Sequence, residues 1–383
     1  MEKRWAEHFV ADTEAVEKLA EELNIDRILA QLLVSRGVTT FEEAKNFFRP
    51  ELSHLHDPFL MKGMREAINR IAKAIERNEN ILIYGDYDVD GTTSVALVYS
   101  FFKELHSNIT YYIPDRYKEG YGISLQGIDY AADNNISLII ALDCGIKAVE
   151  KIEYAKEKNI DFIICDHHLP GDIIPDAVAV LDPKRVDCNY PYKELSGCGL
   201  GFKLIQAYAQ THNLPFSSVE KYLDLVVVSI ASDIVPITGE NRVLAYYGLK
   251  KLNTNPCKGL KALIELSGKS DDFTITDIVF SIGPRINAAG RIDDAKHAVK
   301  LLIASSAQIA EDAGFIINLK NAERKEFDLS ITEQALSMID NSPEMLNRKS
   351  TVVYDENWHK GVIGIVASRL TEKYYRPTVV LTR

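Results

Sequence analysis

Short apolar runs alternate with amphipathic stretches through the middle of the chain. The apolar runs are continuous rather than alternating, and they occupy residues 81–84, 109–113, 137–142, 161–165 and 177–181. Residues at helical spacing lie between them, near 92–105, 125–134 and 148–158. Strands that are apolar on both faces and are joined by helices are typical of a parallel sheet covered by helices. The pattern therefore predicts an α/β fold in which ligands bind beyond the carboxyl ends of the strands.

Helical spacing dominates the regions before and after this sheet. Residues 12–80 are predicted to be helical, with one helix near residues 66–77 and apolar positions before it at Ala15, Leu19, Leu23, Ile28, Leu29 and Leu32. Residues 197–340 are also mostly helical, and the stretch 303–338, interrupted only by Gly314, predicts one long connecting helix. A strand, a helix and a strand follow at residues 351–354, 362–374 and 378–381.

These changes of pattern divide the chain into four predicted parts. We expect a helical N-terminal cap, a parallel-sheet α/β domain, a connecting helix and the start of a second α/β domain, at residues 1–79, 80–300, 301–345 and 346–383. A chain of 383 residues is long enough for two or three domains, which agrees with this division.

Composition narrows the function classes without selecting one. No run of eighteen apolar residues occurs, so we expect no membrane span, and residues 1–7 lack the apolar core of a signal peptide. The five cysteines form no CxxC pair and fit a reducing cytoplasm better than a disulfide framework. The net charge of −11 argues weakly against a nucleic-acid partner, but cations held by carboxylates would offset part of it, and local charge decides binding.

Three carboxylates follow the first predicted strand. Asp86, Asp88 and Asp90 alternate directly before Gly91, and alternation in an extended segment places side chains on one side. Like charges at one place repel unless a cation neutralises them, so the pattern favours a divalent metal site over a solvated turn. The pattern disfavours a calcium loop of the EF-hand type, because its twelfth position would be Leu97 instead of glutamate and a β-like run, not a helix, precedes it.

Further metal-ligating residue types end the later strands. Asp143 follows the third predicted strand, Asp166, His167 and His168 follow the fourth, and Asp233 ends a helical run at residues 223–231. Carboxylates mixed with imidazoles suit Mn²⁺, Mg²⁺ or Zn²⁺, and the lack of thiolates argues against a structural zinc site. The alternative for the two histidines is a pair of surface or capping residues. Asp166 has an alternative role as an acceptor that orients a ligating imidazole.

Small residues begin the helix that is predicted after the first strand. Residues 91–94 are Gly-Thr-Thr-Ser, with the helix expected from about residue 92. Free backbone N–H groups there suit a phosphate oxygen, and they suit ordinary N-capping equally well.

These residues resemble the DHH phosphoesterase superfamily, and within it the RecJ family of bacterial single-strand-specific exonucleases. The resemblance covers essentially the whole chain. It rests on the strand-end motifs above and on the strings SRG, FEEA, PDRYKEGYG, ASDIVP, GENR, GPRINAAGR and WHKGVIGIVASRL, which begin at residues 35, 41, 114, 231, 239, 283 and 358. The string at residues 283–291 is the most discriminating, because small two-domain members of the superfamily usually lack it.

The resemblance implies two Mn²⁺ or Mg²⁺ ions and a role for each strand-end residue. Asp88 would bind one ion with Asp86, and Asp143 would bridge the two ions. Asp90, His167 and Asp233 would complete the second ion's shell, and His168 would contact the scissile phosphate. The implied activity is 5′-to-3′ hydrolysis of single-stranded DNA in repair and recombination. The implied protein is a cytoplasmic monomer, with a single-strand-binding protein or a helicase as candidate partners.

Other residues are candidates for substrate contact. Arg116, Arg285 and Arg291 could bind phosphates, although each could equally form a surface salt bridge, and Asn287 lies in the same string. Tyr121 and Tyr117 could stack on unpaired bases or simply be packed. Selectivity for single strands would follow from an interdomain channel that is too narrow for a duplex.

One departure from the family affects these expectations. The family's second domain normally continues with serine-arginine and glycine-histidine strings that hold the substrate's 5′ end, and neither string occurs before Arg383. We therefore expect a C-terminally truncated chain that binds metal, with end recognition and processivity in doubt. The alternatives are a small-substrate DHH phosphoesterase that acts on pyrophosphate, oligoribonucleotides or cyclic dinucleotides, a noncatalytic scaffold, and an inactive truncation product.

Overall fold

The computed structural model describes residues 12–383, so residues 1–11, including the segment on which the prediction of no export rests, lie outside it. The strands are β1 Asn80–Gly85, β2 Ile109–Tyr112, β3 Ile136–Leu142, β4 Asp161–Cys165, β5 Ala179–Leu181, β6 Thr351–Tyr354 and β7 Thr378–Leu381. The first nine helices are α1 Thr13–Leu23, α2 Arg27–Val34, α3 Phe41–Phe48, α4 Met64–Glu76, α5 Val89–Lys103, α6 Leu125–Asp133, α7 Val149–Glu157, α8 Gly197–Thr211 and α9 Ser217–Glu220.

The remaining helices are α10 Leu223–Ser232, α11 Gly239–Thr254, α12 Lys258–Ser267, α13 Ile275–Asp277, α14 Gly283–Ile292, α15 Lys296–Leu302, α16 Ala307–Asp340, α17 Pro343–Asn347 and α18 Ile363–Tyr374. Two 3₁₀ turns lie at Leu52–His54 and Pro58–Leu60, and a π-helical turn at Ile278–Ile282 leads into α14.

The main sheet is parallel, as the apolar runs predict. Its strand order is β2-β1-β3-β4-β5, and a second, two-stranded parallel sheet pairs β6 with β7. The bounds of β4, β6 and β7 agree with the prediction, whereas β5 begins at Ala179 rather than at residue 177. The α/β fold with a parallel sheet covered by helices is therefore confirmed.

Side-chain alternation along the strands separates the two faces of the main sheet. Ile81 and Ile83 of β1 belong to a large core built against α4, α5, α8 and α10. Leu82 and Tyr84 belong to a smaller core built against α6 and α7. Each strand is thus buried on both faces, which leaves its carboxyl end as the place where polar side chains reach solvent.

The long helix α16 joins this core to the C-terminal strands. Ala310 and Ile317 pack in the large core, whereas Ile331 and Ala335 pack with Trp358 in a separate cluster beneath β6 and β7. Gly314 lies inside this helix without breaking it, which agrees with the prediction of one long helix. A Cβ there would lie 3.2 Å from the Leu266 side chain, so glycine allows α16 to pack closely on α12.

The N-terminal helices form a small core of their own. Leu19, Ala30 and Leu33 are buried together between α1, α2 and α3. Leu29 and Leu32 lie at the predicted helical spacing but are 53% and 48% exposed, as is Ile28 at 68%, because the chain breaks into two helices after Leu23 and turns α2 onto another face.

A buried ion pair connects the region after α3 to the main domain. The Lys203 ammonium donates to Glu240 Oε1 at 3.1 Å and to the His56 carbonyl at 2.6 Å, and the side chains of Lys203 and Glu240 are fully buried. Glu240 also accepts from the His56 backbone N–H at 2.9 Å and from the Tyr190 hydroxyl at 2.6 Å. The pair thus holds α8, α11 and the segment around His56 in one place.

No helix within residues 12–383 is long and apolar enough to cross a membrane.

The buried pair predicts a large effect of removing one partner. Lys203→Met leaves the Glu240 carboxylate buried without its countercharge, so we expect a loss of about 3–5 kcal/mol in the free energy of unfolding, measured by urea denaturation. The control is Lys221→Met, which removes an exposed contact to Glu104 at 2.7 Å and should cost about 1 kcal/mol or less. The double variant Lys203→Met/Glu240→Gln should recover part of the loss. Equal effects of the two single variants would contradict this role.

Candidate metal centre

Acidic and imidazole side chains meet at the carboxyl edge of the main sheet. Asp86 follows β1, Asp143 follows β3, and His167 lies two residues beyond β4. These three strands are adjacent and parallel, so their carboxyl ends lie side by side. Asp233 reaches the same place from the C-terminal end of α10.

The first acidic motif crosses from a strand into a helix, which the sequence pattern did not indicate. Asp86 ends the strand segment, Asp88 is the N-cap of α5, and Asp90 lies in the first turn of that helix. The Asp88 carboxylate accepts from the Gly91 N–H at 3.0 Å. The prediction of one extended segment with a helix from residue 92 is therefore wrong, because the Asp88 cap starts the helix at Val89.

The three hydroxyl residues that follow are inside α5. Thr92, Thr93 and Ser94 are fully buried, and each donates to the backbone carbonyl four residues earlier, at 2.6–2.7 Å. The N-capping interpretation of these residues is wrong because Asp88 holds that position. The alternative of free backbone N–H groups for a phosphate is also wrong, because the Gly91 N–H donates to the Asp88 carboxylate and the Thr92 N–H donates to the Asp88 carbonyl, each at 3.0 Å.

His167 lies at the centre of the acidic cluster. Its Nε2 is 3.1 Å from Asp143 Oδ1, 3.5 Å from Asp233 Oδ2 and 3.6 Å from Asp90 Oδ2. These distances place ligand atoms from four separate elements around a shared point. The residues predicted to converge from distant parts of the sequence are thus brought together.

Burial and mutual repulsion raise the pKa values of these carboxyl groups. Burial, followed by the charge of Asp88, raises the pKa of Asp86 to about 7. Burial also raises the pKa of Asp90 to about 6, with the charge of Asp233 acting in the same direction. Burial and then the charge of Asp90 raise the pKa of Asp143 well above its usual range. A cation among these groups would remove the cause of the raised values.

The donor set fits a pair of hard divalent cations. Among the described residues, both Asp86 oxygens, Asp143 Oδ1 and Asp233 Oδ2 are buried without a hydrogen-bond partner. Buried carboxylate oxygens normally have partners, so these are available for ligation. Carboxylate oxygens with one imidazole nitrogen suit Mn²⁺ or Mg²⁺.

Asp90 is held by groups that sequence analysis did not identify. The backbone N–H groups of Gly197 and Cys198, at the start of α8, donate to its two oxygens at 2.6 and 2.8 Å, and the Ser229 hydroxyl donates at 2.7 Å. A Cβ on Gly197 would lie 2.7 Å from the Asp143 Cβ, so only glycine fits there. The only sequence signal was Ser196, a potential helix N-cap before small residues.

His168 has different hydrogen-bond partners from those of His167. Its Nδ1 lies 2.7 Å from Asp166 Oδ1, and its Nε2 lies 3.3 Å from the Tyr121 hydroxyl. The hydrogen bond to Asp166 raises the pKa of His168, which favours a positive imidazolium. Asp166 also accepts from the Ile146 N–H at 2.8 Å, so it orients His168 and the β3–α7 loop.

Arginines line a cleft beside Asp233. Ser232, Asn287, Arg291 and Arg324 border a cavity of about 200 Å³ between α10, α14 and α16. Burial, followed by the positive charges of Arg116 and Arg324, lowers the pKa of Arg291. Mutually repelling guanidinium groups of this kind favour an anionic ligand. Arg324 was missed in the sequence because it resembles any other charge on the long helix.

The remaining predicted contact residues differ in their availability. The guanidinium of Arg285 donates to the Ser281 carbonyl at 2.7 Å and to Asn318 Oδ1 at 3.1 Å, so a phosphate would compete with these bonds. Arg116 stacks on the Tyr87 ring at 4.8 Å, and the Tyr117 hydroxyl donates to the Arg291 carbonyl at 2.6 Å. Phosphate or base contact by these residues stays a prediction.

Comparison with known proteins places this arrangement in a family. The model of the DHH family, N-terminal domain, matches residues 80–230. The single-stranded-DNA-specific exonuclease RecJ of Bacillus subtilis is 42% identical over 97% of this chain, and that of Escherichia coli is 33% identical over 92%. The chain spans 46% of the length of the first protein and 63% of the second.

Solved structures agree with the sequence relatives. The crystal structure of an exonuclease RecJ bound to manganese superposes with a TM-score of 0.78 at 30% identity, covering 87% of this chain and 82% of that one. RecJ from Thermus thermophilus in complex with Mn²⁺ gives a TM-score of 0.83 at 27% identity, covering 97% of this chain and 53% of that one.

Repulsion among the carboxylates predicts that neutralising one of them stabilises the metal-free protein. Asp143 has a φ of 59°, which asparagine tolerates, so Asp143→Asn should fold normally. We expect it to stabilise the metal-free protein by about 1 kcal/mol or more, because a carboxylate whose pKa is raised by one unit costs about 1.4 kcal/mol when charged. Mn²⁺ at about 100 times its Kd should stabilise the wild type by about 2.7 kcal/mol and the variant much less.

Thermal melts with and without Mn²⁺ measure both effects, and Asp271→Asn, in an exposed loop, is the control. A metal-free Asp143→Asn protein that melts below the wild type would show that the carboxylates do not repel.

Proposed function

Because this chain belongs to the RecJ family of DHH proteins, we propose that it is a metal-dependent exonuclease that hydrolyses phosphodiester bonds of single-stranded DNA from the 5′ end. The observation that carries the proposal is the convergence of Asp90, Asp143 and Asp233 on Nε2 of His167. A multivalent cation offsets these three carboxylates, of which Asp90 and Asp143 are buried and Asp233 is partly exposed. Hydrolysis of phosphate esters is a reaction for which paired cations are used.

The proposed ligand set follows the elements that supply the side chains. Asp86 and Asp88 come from the β1–α5 turn and would hold one ion. Asp90, His167 and Asp233 would hold the other, and Asp143 would bridge both. When bound, the two ions supply Lewis acidity to the phosphate and lower the pKa of water. Solved structures of related RecJ proteins are bound to manganese or to magnesium, which supports Mn²⁺ or Mg²⁺ here.

The protein's own residues prepare the site for a negatively charged substrate. Gly197, Cys198 and Ser229 hold the Asp90 carboxylate in place by hydrogen bonds, so this side chain is preorganised. His168, whose pKa is raised by its hydrogen bond to Asp166, would bind the scissile phosphate. Hydroxide attack on phosphorus breaks the bond to the leaving nucleotide oxygen, which must then receive a proton from solvent or a nearby acid.

Phosphates on either side of the reacting bond would be held by arginines. The positive charge of Arg116 helps to lower the pKa of Arg291, so the two guanidinium groups are near each other. Arg324 adds a third guanidinium to the cleft that Arg291 lines. Asn287 shares the same cavity and offers both a donor and an acceptor. This local positive charge supports DNA binding in a chain whose net charge is −11.

The alternative of a small substrate is not favoured by the same observations. Arg291, Asn287 and Arg324 extend the positive surface beyond the ligand cluster, which a substrate as small as pyrophosphate would not need. The curated relatives are named as single-stranded-DNA-specific exonucleases. The remaining parts of the proposal rest on the family alone: action as a cytoplasmic monomer in DNA repair and recombination, with a single-strand-binding protein or a helicase as partner.

The proposed reaction has a direct assay. With Mn²⁺, we expect release of mononucleotides from a 5′-tailed oligonucleotide and about a hundredfold slower attack on a blunt duplex, because unpairing each terminal step costs a few kcal/mol. Asp143→Ala should abolish the activity without changing the circular dichroism spectrum. Equal digestion of both substrates, or wild-type activity in Asp143→Ala, would contradict the proposal.

The arginine cleft predicts a separate effect on binding. Arg291→Gln should raise KM about tenfold for single-stranded DNA, and the slope of log KM against log salt should fall by about 0.7, the contribution of one phosphate contact. The control is Arg77→Gln, on the exposed end of α4. An unchanged salt slope in Arg291→Gln would show that this guanidinium does not contact a phosphate.

A further inference from the structure

A second cavity lies on the His168 side of the metal centre. It has a volume of about 450 Å³ and opens to solvent between the loop after β2 and the loop that joins β3 to α7. Tyr121 and His168 form one edge, and Ile123, Cys144, Ile146 and Ala148 form most of its wall. The size lies within the range of small-ligand sites. Of its lining residues, His168, Asp166 and Tyr121 have roles named above, whereas the apolar wall has none.

The wall of this cavity is unsuited to a phosphate. Asp166 lines it, but its oxygens are occupied by the Ile146 N–H and by His168. The Lys151 ammonium is occupied by the carbonyl of Ile123. Lys147 and Glu150 are exposed and have opposite charges, so together they add little net charge to the cavity. The surface that remains is apolar and suits a neutral, flat ring.

Tyr121 connects the cavity to the reacting centre. Its hydroxyl lies 3.3 Å from Nε2 of His168, the residue assigned to the scissile phosphate. Its ring makes edge contacts with Tyr87 at 6.0 Å and with His168 at 6.1 Å, and the residue remains 51% exposed. Two aromatic neighbours restrain the ring while one side stays open, which is how proteins present a stacking surface to a base.

We propose that this cavity receives the nucleobase of a nucleotide that is joined to the scissile phosphate, with Tyr121 at its edge. The inference rests on the proposed function and adds a base subsite to it. Few directional donors or acceptors face the cavity, so any of the four bases fits. A base can enter only when it is unpaired and unstacked, so single-strand selectivity arises at this cavity as well as from the width of the channel.

The test fills the cavity without touching the metal ligands. Ala148→Trp places a large ring in the cavity from a half-exposed position, and Glu153→Trp, on the exposed surface of α7, is the matched control. Each protein is assayed with Mn²⁺ on an intact single-stranded oligonucleotide and on one that is abasic at both nucleotides flanking the first scissile phosphate. Isothermal titration of each protein with Mn²⁺ reports the metal centre alone.

We expect loss of the bases to lower kcat/KM about tenfold in the wild type and in Glu153→Trp, since base stacking on an aromatic side chain has an effect of this size. Ala148→Trp should show the same loss on the intact oligonucleotide and no further loss on the abasic one. All three proteins should bind Mn²⁺ equally tightly. Normal cleavage of the intact oligonucleotide by Ala148→Trp would overturn the inference. A further tenfold loss in Ala148→Trp when the bases are removed would overturn it as well.

Failure of the proposed function gives a different result. In that case the wild type binds Mn²⁺ but hydrolyses neither oligonucleotide. The cavity is then tested by binding alone, through fluorescence anisotropy of the intact and abasic oligonucleotides. A tenfold affinity ratio in Glu153→Trp that disappears in Ala148→Trp supports the base subsite, and equal ratios in the two variants overturn it.

Discussion

The structure depends on the burial of several carboxylates at one edge of a parallel sheet. Asp86, Asp90 and Asp143 are almost inaccessible to solvent and lie near one another and His167. In a protein interior, such charges are tolerated only when hydrogen bonds or cations compensate them. For Asp90 the compensation is provided by donors from α8 and α10, whereas Asp86 keeps both oxygens free among the described residues. Asp90 is therefore held in place by the protein itself, whereas no group among the described residues compensates Asp86.

The surrounding elements give the two sides of this centre different chemistry. On one side, α14 and α16 supply Arg291 and Arg324 to a small cleft that favours anions. On the other, the loops after β2 and β3 form an apolar cavity bordered by Tyr121 and His168. A nucleotide has the same division, with a charged backbone and flat, neutral bases. Under the proposed function, the fold would offer the backbone and the bases of a single strand separate surfaces beside one metal centre.

Local sequence patterns predicted the bounds of several strands. The bounds of β4 agree with its apolar run because that strand is almost fully buried, and those of β6 and β7 agree although alternate residues of both strands are exposed. The start of α5 was predicted too late, since Asp88 acts both as an N-cap and as a candidate ligand, and the sequence does not distinguish the two roles. The long helix α16 was predicted in spite of Gly314, and the tertiary structure shows that this glycine allows close packing against α12.

The sequence by itself determined which residue types end each strand, and the rule that parallel strands share a carboxyl edge was enough to bring Asp143 and His167 together. Only the tertiary structure decided which donors orient those ligands, such as Ser229, and which arginines remain available to a phosphate. It also formed the cavity beside Tyr121. The physical reason is that these contacts join residues far apart in the chain, where no local spacing, cap or periodicity records which side chains will meet.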